Sequence, residues 1–458
     1  AAILAFAFLP VAYSRVAVTD VGALIGVALA LGLSVRAYER GRLRDYALAG
    51  AAAGLALAFK YTAGLALLPL AIAALAHVRG GSVRRPLGGL ALGVLLAGLV
   101  FVALNPYLFG SFDAWWSDLR DQAEVAADVA KPGQESGGVA YYLDSLTWGL
   151  GWAAALAALA GALLELRRGL VRGLMLIAIP LALFVYLSVQ SRYFGRWLLP
   201  AYPALAMLAA AALSQLSALV PNPRRRAPVL AGIALLVLLQ PLAADVRSAQ
   251  VLGRDDTRQQ ARDWLEARYP PELRLAVEPA VPGRWFRSNP EGDPPPWLTR
   301  CERRDGWTEP GWSYLAAGDR RVCAQYKPGL VARPDGGVRA SSYHSVLDPE
   351  VIDDYRLYGY CLVMTADVVR DRALQTGDRG ARAYYDRLAR ESRLVREFSP
   401  YDEGAAPVPF DFDLSYNYYP PEYRRPGPTV RIHRLRDCRQ ATGPPIVRIP
   451  RAREPLPF

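Results

Sequence analysis

Three short polar stretches interrupt long apolar runs in the first half of the chain. They hold Arg15 and Asp20 in SRVAVTDV, Lys60 and Tyr61 in FKYT, and Arg192, Tyr193 and Arg196 in SRYFGRWLLPAYP. These residue types suit an anion site with an acid/base group. Lys and Arg are the side chains that meet a phosphate, and a carboxylate such as Asp20 can accept the proton of an attacking hydroxyl. Lys60 stands out because the chain otherwise avoids lysine: its 53 basic residues include only Lys60, Lys131 and Lys327 as Lys. Each residue also has a purely structural explanation. Basic side chains at helix ends reach back to lipid headgroups, and Tyr gathers at membrane interfaces.

The elements that must position these residues are transmembrane helices. Residues 1 to about 245 are built from Ala, Leu, Gly and Val, whereas 246–458 are rich in Arg, Asp, Glu, Pro and Tyr. That shift predicts a polytopic α-helical membrane domain over 1–245, followed by an extracytoplasmic α/β domain over 246–458. About nine spans are expected: 1–13, 21–38, 45–59, 61–78, 87–106, 144–164, 174–190, 197–219 and 229–245. Residues 45–78 would reach about 50 Å as one helix, too long for one crossing, so two short helices meeting at Lys60 fit better. The chain opens inside an apolar segment with no initiator Met and no cleavage pattern, and reads as a fragment whose upstream part is missing.

Charge orients the set. Of 19 basic residues in the membrane half, 13 fall in four alternate loops, at Arg36–Arg44, Arg79–Arg85, Arg167–Arg172 and Arg224–Arg226. By the positive-inside rule these face the cytoplasm. Arg15, Asp20, Lys60, Tyr61, Arg192, Tyr193 and Arg196 then share the outer side with the C-terminal domain. The formal net charge of +11 is largely this topological signal and carries no implication of nucleic acid. In the long outer loop, Phe112, Trp115, Trp116 and Leu119 have the spacing of one apolar helix face, against Asp113, Asp118, Asp121 and Glu124. This predicts an amphipathic interfacial helix, serving either as the floor of a lipid-substrate cavity or as a simple connector.

LAFAFLPVAYSRVAVTDV, DYALAGAAAGLALAFKYTAGLALLPL and SRYFGRWLLPAYPALAMLAA, in that order, resemble the GT-C membrane glycosyltransferases of the protein-O-mannosyltransferase-like and aminoarabinose-transferase-like group. The resemblance implies transfer of a sugar from a polyprenyl-phosphate carrier to a protein, lipid or glycan acceptor on the outer face of a bacterial inner membrane. It implies that Asp20 is the second acidic position of the family, near the donor and in some members near a divalent metal. The first-loop acid, the proposed base, would lie upstream of this sequence. The resemblance further implies that Lys60 stands by the lipid phosphate and that Arg192 and Tyr193 line the same cavity. Arg15, Tyr61 and Arg196 are added on topology alone.

In the second half, Asp255–Asp256–Thr257 offers an N-cap for a helix to about Tyr269. Strands are expected at LRLAVE, GYCLVMT and TVRIHRL, and a helix at 381–398. All four cysteines lie in this half, which suggests up to two disulfides, Cys301–Cys323 and Cys361–Cys438, rather than zinc. His344 and His433 read as surface or strand residues. A transporter or flippase of lipid-linked sugars is the competing reading. It would put ionisable groups near the midplane of inverted repeats, whereas here the charges sit at helix ends. A third reading, a membrane-anchored binding protein, leaves so many spans unexplained.

Overall fold

The computed structural model describes residues 1–16, 18–81, 83–128, 137–269, 273–277, 308–309, 312–316, 349–357, 359–375, 377, 379–409 and 419–441. It forms two compact units, Ala1–Ser248 and Ala249–Phe458.

The first unit is helical. It comprises α1 (Ala2–Ala5), α2 (Phe8–Ser14), α3 (Thr19–Arg40), α4 (Leu43–Phe59), α5 (Leu68–Arg79, led in by a 3₁₀ turn Tyr61–Leu67) and α6 (Arg84–Leu104). There follow α7 (Phe112–Asp128), α8 (Gly138–Leu146), α9 (Trp152–Arg168), α10 (Leu170–Ser188), α11 (Tyr202–Ala218) and α12 (Pro223–Leu252). Among the described residues, seven helical segments are long and apolar enough to cross a membrane: Thr19–Arg40, Tyr61–Arg79, Arg84–Leu104, Gly138–Arg168, Leu170–Ser188, Gly195–Ala218 and one starting at Pro223. The expected spans 1–13 and 45–59 fall short of that length. The first is broken into helices of 4 and 7 residues, and α4 has 17, or about 26 Å at 1.5 Å per residue.

The break expected at Lys60 is present. Its backbone is extended (φ −155°, ψ 125°), ending α4 and starting the 3₁₀ turn. Around it the helices approach through small residues, because apolar lipid gives helices no hydrophobic drive to associate and close packing must do so instead. A Cβ on Gly50 of α4 would lie 1.9 Å from the Gly93 carbonyl oxygen of α6. Gly50→Ala is therefore expected to force α4 and α6 apart and destabilise the unit by about 1–3 kcal/mol, read as a lower thermal midpoint in detergent. An unchanged midpoint would exclude this packing.

Between α8 and α9, residues Thr147–Gly151 widen into a π-helical turn. Such a turn disturbs the backbone ladder inside the bilayer, where an unpaired amide has no water to turn to. Gln240 of α12 bridges it: Trp152 N–H donates to Gln240 Oε1 (2.9 Å), and Gln240 Nε2 donates to the Thr147 carbonyl (3.0 Å).

The second unit is a three-layer α/β arrangement. Among the described residues its strands, β1 (Leu273–Val277), β2 (Thr308–Glu309), β3 (Trp312–Ala316), β4 (Leu362–Ala366), β5 (Ser392–Phe398) and β6 (Val430–Leu435), run in the order β2-β3-β1-β4-β6-β5. β1 is parallel to β3 and β4, and β6 pairs antiparallel with both β4 and β5. β4 is buried along its whole length, as a central strand covered on both faces should be. Its alternate residues divide the core. Leu362, Met364 and Ala366 join Leu275, Val430 and Ile432 under α13 (Thr257–Glu266). Val363 joins Ala276 and Leu435 under α14 (Val351–Leu357), α15 (Asp367–Gln375) and α16 (Arg379–Glu391). Asp256 caps α13 as expected, accepting from Arg258 N–H at 2.8 Å.

The helix expected over 381–398 ends instead at Glu391, and 392–398 form strand β5. SRLVREF buries Ser392 and Phe398 at its ends. Six register pairs with β6, interrupted by a shift between Leu394 and Arg396, supply the backbone partners that override the helical pattern upstream. Cys361 and Cys438 form the expected disulfide. Cys301, Cys323 and His344 lie outside the described residues.

Two buried groups of this unit are shifted in opposite senses. Burial lifts the Asp367 carboxyl to about 6, and burial beside Arg431 and Arg370 lowers the His433 imidazole to about 4. The raised acid holds extra protons in the folded state above the ordinary Asp range, so its share of stability falls as pH rises from about 4 to 6. The lowered imidazole acts oppositely: its share is lost as pH falls from about 6.5 to 4. The two slopes offset each other. Asp367→Asn should therefore leave stability rising with pH across this window, and His433→Gln should leave it falling. Urea titrations of the whole chain in detergent, followed by the ¹⁹F resonance of labelled Trp264 in the core, measure both slopes.

Candidate functional site

The hairpin of α3 and α4 brings the first two expected residues together. Asp20 lies in the first turn of α3 and Lys60 at the break after α4. Lys60 Nζ donates to Asp20 Oδ1 in an ion pair whose side chains are 13% and 7% exposed. A pair so nearly dry depends on both members, since removing one strands the other charge away from water. Arg196, in the 3₁₀ turn Gly195–Ala201 leading into α11, lies close enough for its charge to act on Lys60. Its guanidinium stands 5.9 Å from the Tyr13 ring and 5.1 Å from the Phe194 ring. Its buried Nε has no hydrogen-bond partner among the described residues. The arrangement is thus one carboxylate, two cations and two aromatic faces, assembled from α2, α3, the α4 end and the α11 start.

The remaining expected residues surround this group in different ways. Tyr61 follows Lys60 and reaches the amphipathic helix: its hydroxyl accepts from Trp115 Nε1 at 2.7 Å, and its ring meets Phe101 and Trp115, each at 6.3 Å. α7 is a helix as expected, with Phe112 and Trp116 exposed on it. Its C-terminal turn holds the Arg192 loop, where Ser191 N–H and Arg192 N–H both donate to the Ala126 carbonyl at 3.1 Å. Tyr193 is buried in an aromatic wall, stacked on Tyr141 at 5.4 Å and edge-on to Tyr142 at 6.1 Å. Arg15 points to α12 instead, donating to Ser248 Oγ at 3.1 Å and facing Asp245.

Of the aromatic residues around this group, Tyr13, Tyr141 and Tyr142 were not singled out from the sequence. Their only linear signal is an aromatic at the end of an apolar run, which a membrane-interface belt explains equally well. Among the described residues no three His, Cys, Asp or Glu side chains gather to hold a metal, and Asp20 already takes the Lys60 ammonium. These donors do not fit a divalent metal.

The residues that build this pair lie in one stretch. Residues 1–105 match the dolichyl-phosphate-mannose-protein mannosyltransferase family. The match carries α1 to α6, and with them Tyr13, Arg15, Asp20, Lys60 and Tyr61. Arg192, Tyr193 and Arg196 lie beyond it. No curated protein and no solved structure matches the chain. The mannosyltransferase family match, with seven candidate spans, supports an integral membrane glycosyltransferase that draws on a polyprenyl-phosphate sugar and serves an acceptor.

Proposed function

We propose that this protein transfers a sugar from a polyprenyl-phosphate carrier to a protein, lipid or glycan acceptor on the outer face of the membrane. Its second unit would be extracytoplasmic, and α4 and the first two short helices would complete the membrane domain. The observation that carries this reading is the buried Asp20–Lys60 pair, with Arg196 beside it. In an inverting displacement the acceptor hydroxyl attacks the anomeric carbon, and the bond from that carbon to the phosphate oxygen breaks. The carrier leaves as a phosphate monoester, and the hydroxyl proton is released to water at the interface. Lys60 and Arg196 stabilise the charge growing on that phosphate, so no general acid is needed on the leaving side. Asp20 holds Lys60 in place, a role closer to orientation than to proton abstraction, because its carboxylate is already committed to the ammonium. Arg192 and Tyr193 would line the donor cavity, and Arg15 would border it.

Charges gathered at helix ends, rather than near a midplane, favour transfer over transport. The test is a single-turnover assay with purified protein in nanodiscs, radiolabelled polyprenyl-phosphate mannose or aminoarabinose, and a membrane extract as acceptor. Labelled product formed by the wild type, and reduced about tenfold or more in Arg196→Ala, is the expected result. Movement of the labelled carrier between leaflets without product would establish the flippase instead.

A further inference from the structure

The α3–α4 hairpin carries a second ion pair at its opposite end. Arg36 Nη2 lies 3.4 Å from Asp45 Oδ1, with Arg44 Nε at 3.9 Å. The Asp45 side chain is completely buried, yet neither of its oxygens has a hydrogen bond among the described residues. Charge attraction is therefore what holds it. Between the two pairs the helices touch backbone to backbone: a Cβ on Gly26 of α3 would lie 2.5 Å from the Ala56 nitrogen of α4. Contacts between small residues bring helices close but grip weakly along their axes. The large ring set into this seam, Phe59 of α4, faces a bare glycine, Gly22 of α3, which gives it nothing to lock against. The axial register must come from the ends. Asp20 and Arg36 are 16 residues apart on α3, and Asp45 and Lys60 are 15 apart around α4, about 24 Å and 22 Å of helix. The two pairs thus close two rails of matching length.

We infer that Arg36 and Asp45 are positioning residues, which fix the sliding register of α3 against α4 and so bring Asp20 to Lys60 at the other end. The inference rests on the transferase reading for its consequence, but not for its geometry.

Two measurements test it in nanodiscs. The first places nitroxide labels at Ile25 of α3 and Leu48 of α4, both exposed, with Cys301 and Cys323 changed to Ser. Arg36→Gln, Asp45→Asn and the double variant should each broaden the dipolar distance distribution, whereas Arg36→Lys should keep it narrow. The second is transfer kinetics. Each single variant should lose about tenfold in kcat with KM unchanged, and the double should lose no more than either single, as expected of one shared interaction. An unchanged distance distribution alongside a lowered thermal midpoint would overturn the inference, leaving the pair merely structural. If the wild type transfers no sugar, the transferase reading fails, and the label distances still decide the register. If Arg36→Gln does not fold, Asp45→Asn and Arg36→Lys carry both measurements.

Discussion

Lys60→Ala is expected to reduce transfer from a polyprenyl-phosphate sugar by about 10²- to 10³-fold, or roughly 3–4 kcal/mol, the usual cost of losing one preorganised charge partner in a water-poor site. Two effects contribute. The leaving phosphate loses a cation, and Asp20 is left buried without its partner, a situation that costs about 3–5 kcal/mol when an internal pair is broken. The double variant Lys60→Ala/Asp20→Asn separates them. It removes the stranded charge while still lacking the cation, so folding stability should recover and transfer should not. Thermal midpoints and single-turnover rates measured on the same preparations make the comparison. Unimpaired transfer by Lys60→Ala would remove Lys60 from the site altogether.

Cys361 and Cys438 close a loop of 77 residues. In the chain-entropy account, opening a loop of that length costs about 4 kcal/mol. Cys361 is fully buried and opens onto β4, and its carbonyl accepts Leu435 N–H at 2.9 Å, so the crosslink lies where β4 and β6 pair. A paired Cys361→Ser/Cys438→Ser change should therefore loosen the whole second unit rather than fray one edge. Hydrogen exchange of β4 and β6 amides should speed up together, by two to three orders of magnitude if opening of the unit governs exchange. Equal protection with and without reductant would contradict this.

What could be read from the residues was set by range along the chain. The break at Lys60 follows from arithmetic on 45–78, because an uninterrupted helix would overshoot the bilayer. β4 and β6 were legible because CLVMT and TVRIHRL are short β-rich runs with turn formers nearby. β5 was not: ARAYYDRLARE runs into SRLVREF without Gly or Pro, and only pairing with β6, more than thirty residues on, turns the second piece into a strand. The site divides in the same way. That Asp20, Lys60 and Arg196 lie at helix ends is a local property. That Lys60 bonds Asp20 while Arg15 turns to Ser248 depends on which helices pack, with separations of 40 and 233 residues. Seven of the nine expected spans are helices long enough to cross; α4, with 17 residues, is as apolar as its neighbours but slightly shorter, and the first span is split into two short helices.

Gln240 has a consequence for how the membrane unit can move. Its amide joins both sides of the turn between α8 and α9, one contact as acceptor and one as donor. If α12 slid by a residue, both bonds would break and leave bare peptide groups in hydrocarbon, at several kcal/mol each. α8, α9 and α12 are thereby riveted into one block. Any opening that admits a long lipid tail must run along another seam.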